Sequence, residues 1–119
     1  MTLSEKEELE GIKRIIDEII SRPGHKNLKK TLIANGYGID KLVYDISYEV
    51  RQEIAKKGEK LGLLIYDKDY RVRAEVANCG YGLEELREDS NSVVRLIAES
   101  KIKELELEQS KLDDLERSR

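Results

Sequence analysis

The chain of 119 residues has no tryptophan and no phenylalanine, and cysteine, methionine, proline and histidine occur once each. Each scarcity excludes something. A single cysteine, Cys79, cannot close an internal disulfide, which fits a reducing compartment, and a cytoplasmic location is the expectation. His25, with one distant cysteine, leaves no ligand set for zinc, so neither a metal nor a cofactor is expected. No run of about 18 apolar residues is present, nor an apolar stretch with a cleavage site behind a basic start. Neither a membrane span nor a signal peptide is expected. No charge sign dominates either: 39% of residues are charged, yet the formal net charge is -3. Six tyrosines supply all the aromatic surface.

What is present is a repeat. Gly36, Gly58 and Gly80 recur at a step of 22, and so do Asp45, Asp67 and Asp89, and Arg51, Arg73 and Arg95. Apolar columns keep the same step: Ile39, Leu61, Leu83; Leu42, Leu64, Leu86; Val50, Val72, Val94. An internal period of this kind decides architecture before any other signal. Within each unit a glycine ends one helix by supplying the left-handed position past its C-terminus. A short apolar segment follows (39–44, 61–66, 83–88), long enough for one or two turns, α or 3₁₀. A polar turn opens at the column aspartate, and a longer helix comes next, over 47–57 and 69–79. Residues 27–35 read as a degenerate first copy of that longer helix, with Leu28 in the Val50 column, Lys29 in the arginine column and Leu32 in the Ile54 column. The middle junction, Gly58-Glu59-Lys60, departs from the Gly-Tyr-Gly form of the other two and is expected to be shaped differently.

Both ends depart from the repeat. Ser4 and Glu7 read as a capping box opening a helix whose apolar face carries Leu9, Ile12, Ile15, Ile16, Ile19 and Ile20, ended by Pro23-Gly24. It is expected to cap the first unit over residues 1–22. At the other end Ile102 stands where the glycine column would continue, so the last helix is expected to run from Ser92 towards Glu116. Its stripe of Ala98, Ile102, Leu105 and Leu112, interrupted by Gln109, is read in two ways. It folds back along the array, or it forms a seam with a second copy, a two-fold dimer through Ile102, Leu105, Gln109 and Leu112.

Asp45…Val50-Arg51…Ala55 and Asp67…Val72-Arg73…Ala77 resemble HEAT-like repeats, and the abbreviated first helix is similar to the leucine-rich-repeat variant class, where an α-helix alternates with a 3₁₀ turn. The Gly-Tyr-Gly-Leu/Ile punctuation is similar to short repeat proteins of bacteria and their phages. The likeness covers roughly residues 24–98. It implies an all-α fold of one domain: a short right-handed α-solenoid of HEAT-like (α/3₁₀) repeats, with repeats over 23–98, a capping helix at each end and the last helix over 92–119. It also implies a non-catalytic protein-binding module, of the kind by which a phage or mobile element blocks or adapts a host protein such as a defence nuclease. Some HEAT-like proteins grip DNA on their concave side, which makes a nucleic-acid binder the first alternative and an enzyme of that DNA-repair type the second, disfavoured by the absent tryptophan and the unpaired carboxylates.

The residues themselves bear on these readings. The aspartate and arginine columns are read as a structural ladder, each arginine meeting an aspartate of its own or a neighbouring unit, rather than as an anion site. Gly-Tyr-Gly lacks the lysine and hydroxyl of a phosphate loop and follows a helix. No histidine lies near Cys79 in sequence to activate its thiol. No carboxylate pair sits in an apolar context suited to acid–base work, so no catalytic residue is expected. On the long helices, 100° per residue turns Tyr48, Gln52 and Lys56 outward, with Tyr70 and Arg71 in the next unit and Val93 and Leu96 in the last. These seven are the expected contact surface for another protein, because Tyr and Arg are enriched at interface hot spots. Residues 22–57 carry an excess of basic groups, among them Arg22, Lys26, Lys29, Lys30, Lys41, Lys56 and Lys57. That patch is where nucleic acid would bind, though bulk nucleic-acid binding calls for more.

Overall fold

The computed structural model describes residues 1–118 and is helical, with no strand among the described residues. The long elements are α1 (Leu3–Ser21), α2 (Lys26–Ala34), α4 (Tyr48–Lys56), α6 (Tyr70–Asn78) and α8 (Ser92–Arg117); one-turn helices α3 (Ile39–Leu42), α5 (Leu61–Leu64) and α7 (Leu83–Leu86) fall between them. In succession α2 packs on α4, α4 on α6 and α6 on α8, while each one-turn helix bridges the two long helices that flank it. The result is flat and extended, 65 × 40 × 19 Å.

Each unit starts and stops for local reasons. Asp69 caps α6 by accepting the Arg71 N–H at 2.9 Å, and Asn91 caps α8 through the N–H groups of Val93 and Val94 at 2.8 and 3.3 Å. The repeat glycines end the nine-residue helices at φ +82°, +80° and +78°. There the amides of Gly36, Gly58 and Gly80 each donate to a carbonyl three residues back, at 2.9 Å. Those of Tyr37, Glu59 and Tyr81 reach five residues back, at 2.8, 3.2 and 3.3 Å. This satisfies carbonyls that would otherwise end unpaired. One continuous core runs down the array: Ile33, Leu42, Val50, Ile54, Leu64, Val72, Val76, Leu86, Val94 and Ala98 are all buried. Burying each of the larger aliphatic side chains contributes about 1.5–3 kcal/mol.

Four details differ from the sequence reading. The first helix opens on Thr2, which accepts the Glu5 N–H at 3.1 Å, so the capping pair is Thr2 and Glu5 rather than Ser4 and Glu7. α1 places Ile20 on the core but leaves Leu9, Ile12 and Ile15 exposed. At 1.5 Å per residue, its 19 residues span about 28 Å against about 14 Å for the nine of α2, so half of it faces no neighbour. In α2, Leu28 is exposed and Leu32 half-buried, while Lys29 and Ile33 are buried. Only α1 lies before α2, and it does not supply the surface that an earlier unit would.

The middle junction keeps the shape of the others. Lys60 adopts φ 56°, ψ 28°, beside 69°, 12° at Gly38 and 61°, 33° at Gly82. A Cβ on Gly82 would overlap Cδ1 of Ile65, and one on Gly38 would meet Cδ1 of Ile20. One repeat before Ile65 stands Val43, which has no such atom, and there a residue with a Cβ is accepted. Its ammonium then pairs with Asp40 at 2.7 Å. A left-handed non-glycine residue still costs about 1 kcal/mol. Lys60→Gly is therefore expected to stabilise by about 0.5–1 kcal/mol, and Val43→Ile to destabilise the natural chain more than the Lys60→Gly chain. Equal effects of Val43→Ile in both, measured by urea unfolding, would show that the two positions do not meet.

Candidate protein-binding surface

The buried charges decide which groups are left for other work. Lys29 donates to Asp45 at 2.6 Å, Arg51 to Asp67 at 2.8 and 3.1 Å, and Arg73 to Asp89 at 2.9 and 3.1 Å. Every pair joins one unit to the next. The same cations also bind their own turns: Arg51 Nη1 donates to the Asp45 carbonyl at 2.6 Å, Arg73 Nη1 to that of Asp67 at 2.6 Å, and Lys29 to that of Arg22 at 2.5 Å. Each aspartate in turn accepts the amide two residues on, from Ser47, Asp69 and Asn91, all at 2.9 Å. Arg51 and Arg73 are therefore occupied within the chain. Arg95, the last of the column, is exposed and among the described residues binds only its own turn, donating from Nη1 to the Asp89 carbonyl at 2.7 Å.

The stripe expected on the long helices is partly drawn into the fold. Tyr48 is half-buried against the core, and the Arg71 guanidinium lies 3.6 Å from its ring centre and 5.6 Å from that of Tyr70. Asp69 clamps the same guanidinium at 2.9 and 3.0 Å. The structure thus brings Tyr48, Tyr70 and Arg71 together as one stacked group. Gln52 is half-buried, and Lys56, Val93 and Leu96 are exposed. At the far end Ile102 packs on the core, whereas Leu105 and Leu112 are exposed and Gln109 donates to Asp113 within its own helix at 3.0 Å. α8 runs straight past the array, with 103–118 all exposed, and does not fold back.

A second surface escaped the sequence reading. Along the edge formed by the one-turn helices and their turns, Tyr44 and Tyr66 are each 74% exposed and Ile46 76%, with Leu63 at 44%. They line one groove of about 450 Å³ whose floor includes Val43, Leu64 and the Arg51–Asp67 pair. A signal for it was present. Tyr44 and Tyr66 recur at the repeat step immediately before the ladder aspartates, so the pattern marks the pair without giving the direction of their side chains.

Five of the seven residues named in the basic section have partners within the chain. Arg22 pairs with Glu18 at 2.6 Å, Lys26 and Lys30 converge on Glu49 at 3.0 and 3.5 Å, Lys29 is in the ladder, and Lys57 donates to the Ala34 carbonyl at 3.0 Å. Cys79 donates its S–H to the Ala55 carbonyl at 3.1 Å, and burial, with Glu75 adding to it, pushes the thiol pKa up, away from the reactive thiolate. Comparison with protein-family models, curated proteins and solved structures finds no match.

Asp89 makes the ladder sensitive to acid. Burial alone would raise its pKa. Hydrogen bonds from Arg73 and from the Asn91 amide, with the charges of Arg73 and Arg95, outweigh that and hold the carboxyl below its usual value. A carboxyl lowered by folding contributes stability that is complete above the unfolded value and is lost as pH falls through the folded one. Melting temperature is expected to be level above pH about 5 and to fall below about 4. In Arg73→Met the chain should be about 3–5 kcal/mol less stable at neutral pH, because a buried carboxylate loses its partner. The acid-side fall should shrink as well. A wild-type acid profile in that variant would place the acid sensitivity elsewhere.

Proposed function

We propose that the chain is a protein-binding module without catalysis, a short solenoid of HEAT-like repeats that offers its tyrosine-rich edge to another protein. The observation that carries this reading is the set of Tyr44, Ile46, Leu63 and Tyr66, four large side chains exposed around one groove. Clustered exposed apolar groups mark contact surfaces where isolated ones do not, and tyrosine provides much contact area at little entropic cost. The Tyr48–Arg71–Tyr70 stack, with Val93 and Leu96, gives a second contact surface on the long-helix side. The resemblance to short repeat proteins of bacteria and phages extends the proposal to a host protein, such as a defence nuclease, that the module blocks or adapts. A two-fold dimer through Leu105 and Leu112 belongs to the same proposal, since both lie beyond the part of α8 that the array covers.

Nucleic-acid binding is the weaker reading, because five of the seven basic residues named above are already bonded within the chain. Affinity purification with the natural chain and with Tyr44→Ser plus Tyr66→Ser separates the readings. The double variant should lose at least tenfold in affinity for the captured protein, about 1.4 kcal/mol, with its melting temperature kept. Undiminished capture would remove this edge from the function. Binding to short duplex DNA that weakens steeply with salt would favour the nucleic-acid reading instead. Sedimentation of the same samples reads the dimer, and a mass unmoved by Leu105→Glu plus Leu112→Glu would contradict it.

A further inference from the structure

The ladder has one end that the chain does not close. Lys29, Arg51 and Arg73 each hold the aspartate 16 residues further on. For Arg95 that position is Lys111, on the straight extension of α8. Arg95 nevertheless keeps the half of the arrangement that lies within its own unit. Its Nη1 donates to the Asp89 carbonyl at 2.7 Å, as those of Arg51 and Arg73 donate to Asp45 and Asp67 at 2.6 Å. A guanidinium is planar, so fixing Nη1 in this way also sets the direction of the Nε–Nη2 edge. Arg51 and Arg73 use that edge to hold a carboxylate through two bonds. On Arg95 the same edge has no hydrogen-bond partner among the described residues, and the side chain is exposed.

The residue beside it points the same way. At the next position of the repeat, Gln52 is half-buried and Ala74 buried, but the third member is a leucine, Leu96, and it is 67% exposed. An unpaired guanidinium edge and a large exposed apolar side chain thus stand next to each other on α8, at repeat positions that are ion-paired and buried on α6.

We infer that this face of α8, Arg95 with Leu96, docks an aspartate-bearing turn of another protein in the manner of a further repeat unit. The chain shows twice what such an occupant looks like. Leu64 and Asp67, and Leu86 and Asp89, each bring a buried leucine and, three residues on, a carboxylate that holds the arginine with one edge and its own turn amide with an oxygen. A second copy does not supply such a turn, because Asp45, Asp67 and Asp89 are each engaged by the copy's own cations. The occupant is a different chain. This site is separate from the tyrosine edge, and changes at Tyr44 and Tyr66 should leave it unaffected.

Two measurements test it together. The full chain, labelled for NMR, is titrated with a helix-stabilised peptide of its own residues 83–98, and with the same peptide carrying Asp89→Asn. The aspartate peptide should shift the Leu96 methyl and Arg95 Nε–H resonances saturably, and the asparagine peptide should bind about tenfold more weakly. Equal binding of the two peptides, or no shift with either, would overturn the docking of a separate chain. In the second arm, residues 1–101 are followed by a second copy of residues 80–119, which places an aspartate 16 residues after Arg95. Arg95→Met should then lower the melting temperature of the extended chain clearly more than that of the natural one. An equal loss in both would show that the guanidinium edge does not take an aspartate, and would overturn the proposal whatever the peptides do.

Discussion

The structure depends on a buried ion pair that crosses from one repeat unit to the next. A nine-residue helix is too short to be stable alone in water, and each unit here has one such helix and a single further turn. Packing of Val50, Ile54, Val72 and Val76 supplies the attraction between units, but apolar contact has little directionality. The guanidinium supplies the direction. Arg51 binds the Asp45 carbonyl of its own turn and both oxygens of Asp67, and Asp67 holds the Asp69 amide. Turn shape, unit spacing and register are therefore tied to one group. Displacing either partner would leave a charge buried without compensation, which is costly enough to exclude neighbouring registers.

That dependence also occupies the buried charges. The buried ionisable side chains Lys29 and Arg51 both belong to the ladder, and every buried side-chain nitrogen or oxygen among the described residues has a hydrogen-bond partner. Its surface presents a flat array, a tyrosine-rich edge, and two terminal helices longer than their neighbours. The mismatch in helix length leaves Leu9, Ile12 and Ile15 on α1, and Leu105 and Leu112 on α8, without cover.

Much of the fold was legible because the repeat constrains each column separately. The step of 22 located the helices, the glycine ends and the uninterrupted last helix. It could not say whether an arginine meets the aspartate of its own unit or of the next, since both recur at the same step; the side-chain bonds go to the next. Lys60 hid a backbone conformation that glycine would have advertised, because the accommodation lies in Val43, a residue distant in sequence. Leu28 misled because column position predicts burial only where a neighbouring unit exists. The surface was less legible. Helical geometry turned attention to Tyr48 and Arg71, which pack on each other, while Tyr44 and Tyr66 sit in turns where no periodic rule assigns a direction.

A double-mutant cycle on Arg51 and Asp67 tests the central claim most directly. Arg51→Met, Asp67→Asn and the combination are compared with the natural chain by urea unfolding at neutral pH. If the cross-unit pair holds the array in register, each single change should be strongly destabilising and the double much less so than their sum, with a coupling of at least about 1.5 kcal/mol. Additive effects, within about 0.5 kcal/mol, would show that apolar packing alone holds the units and that the ladder only decorates them.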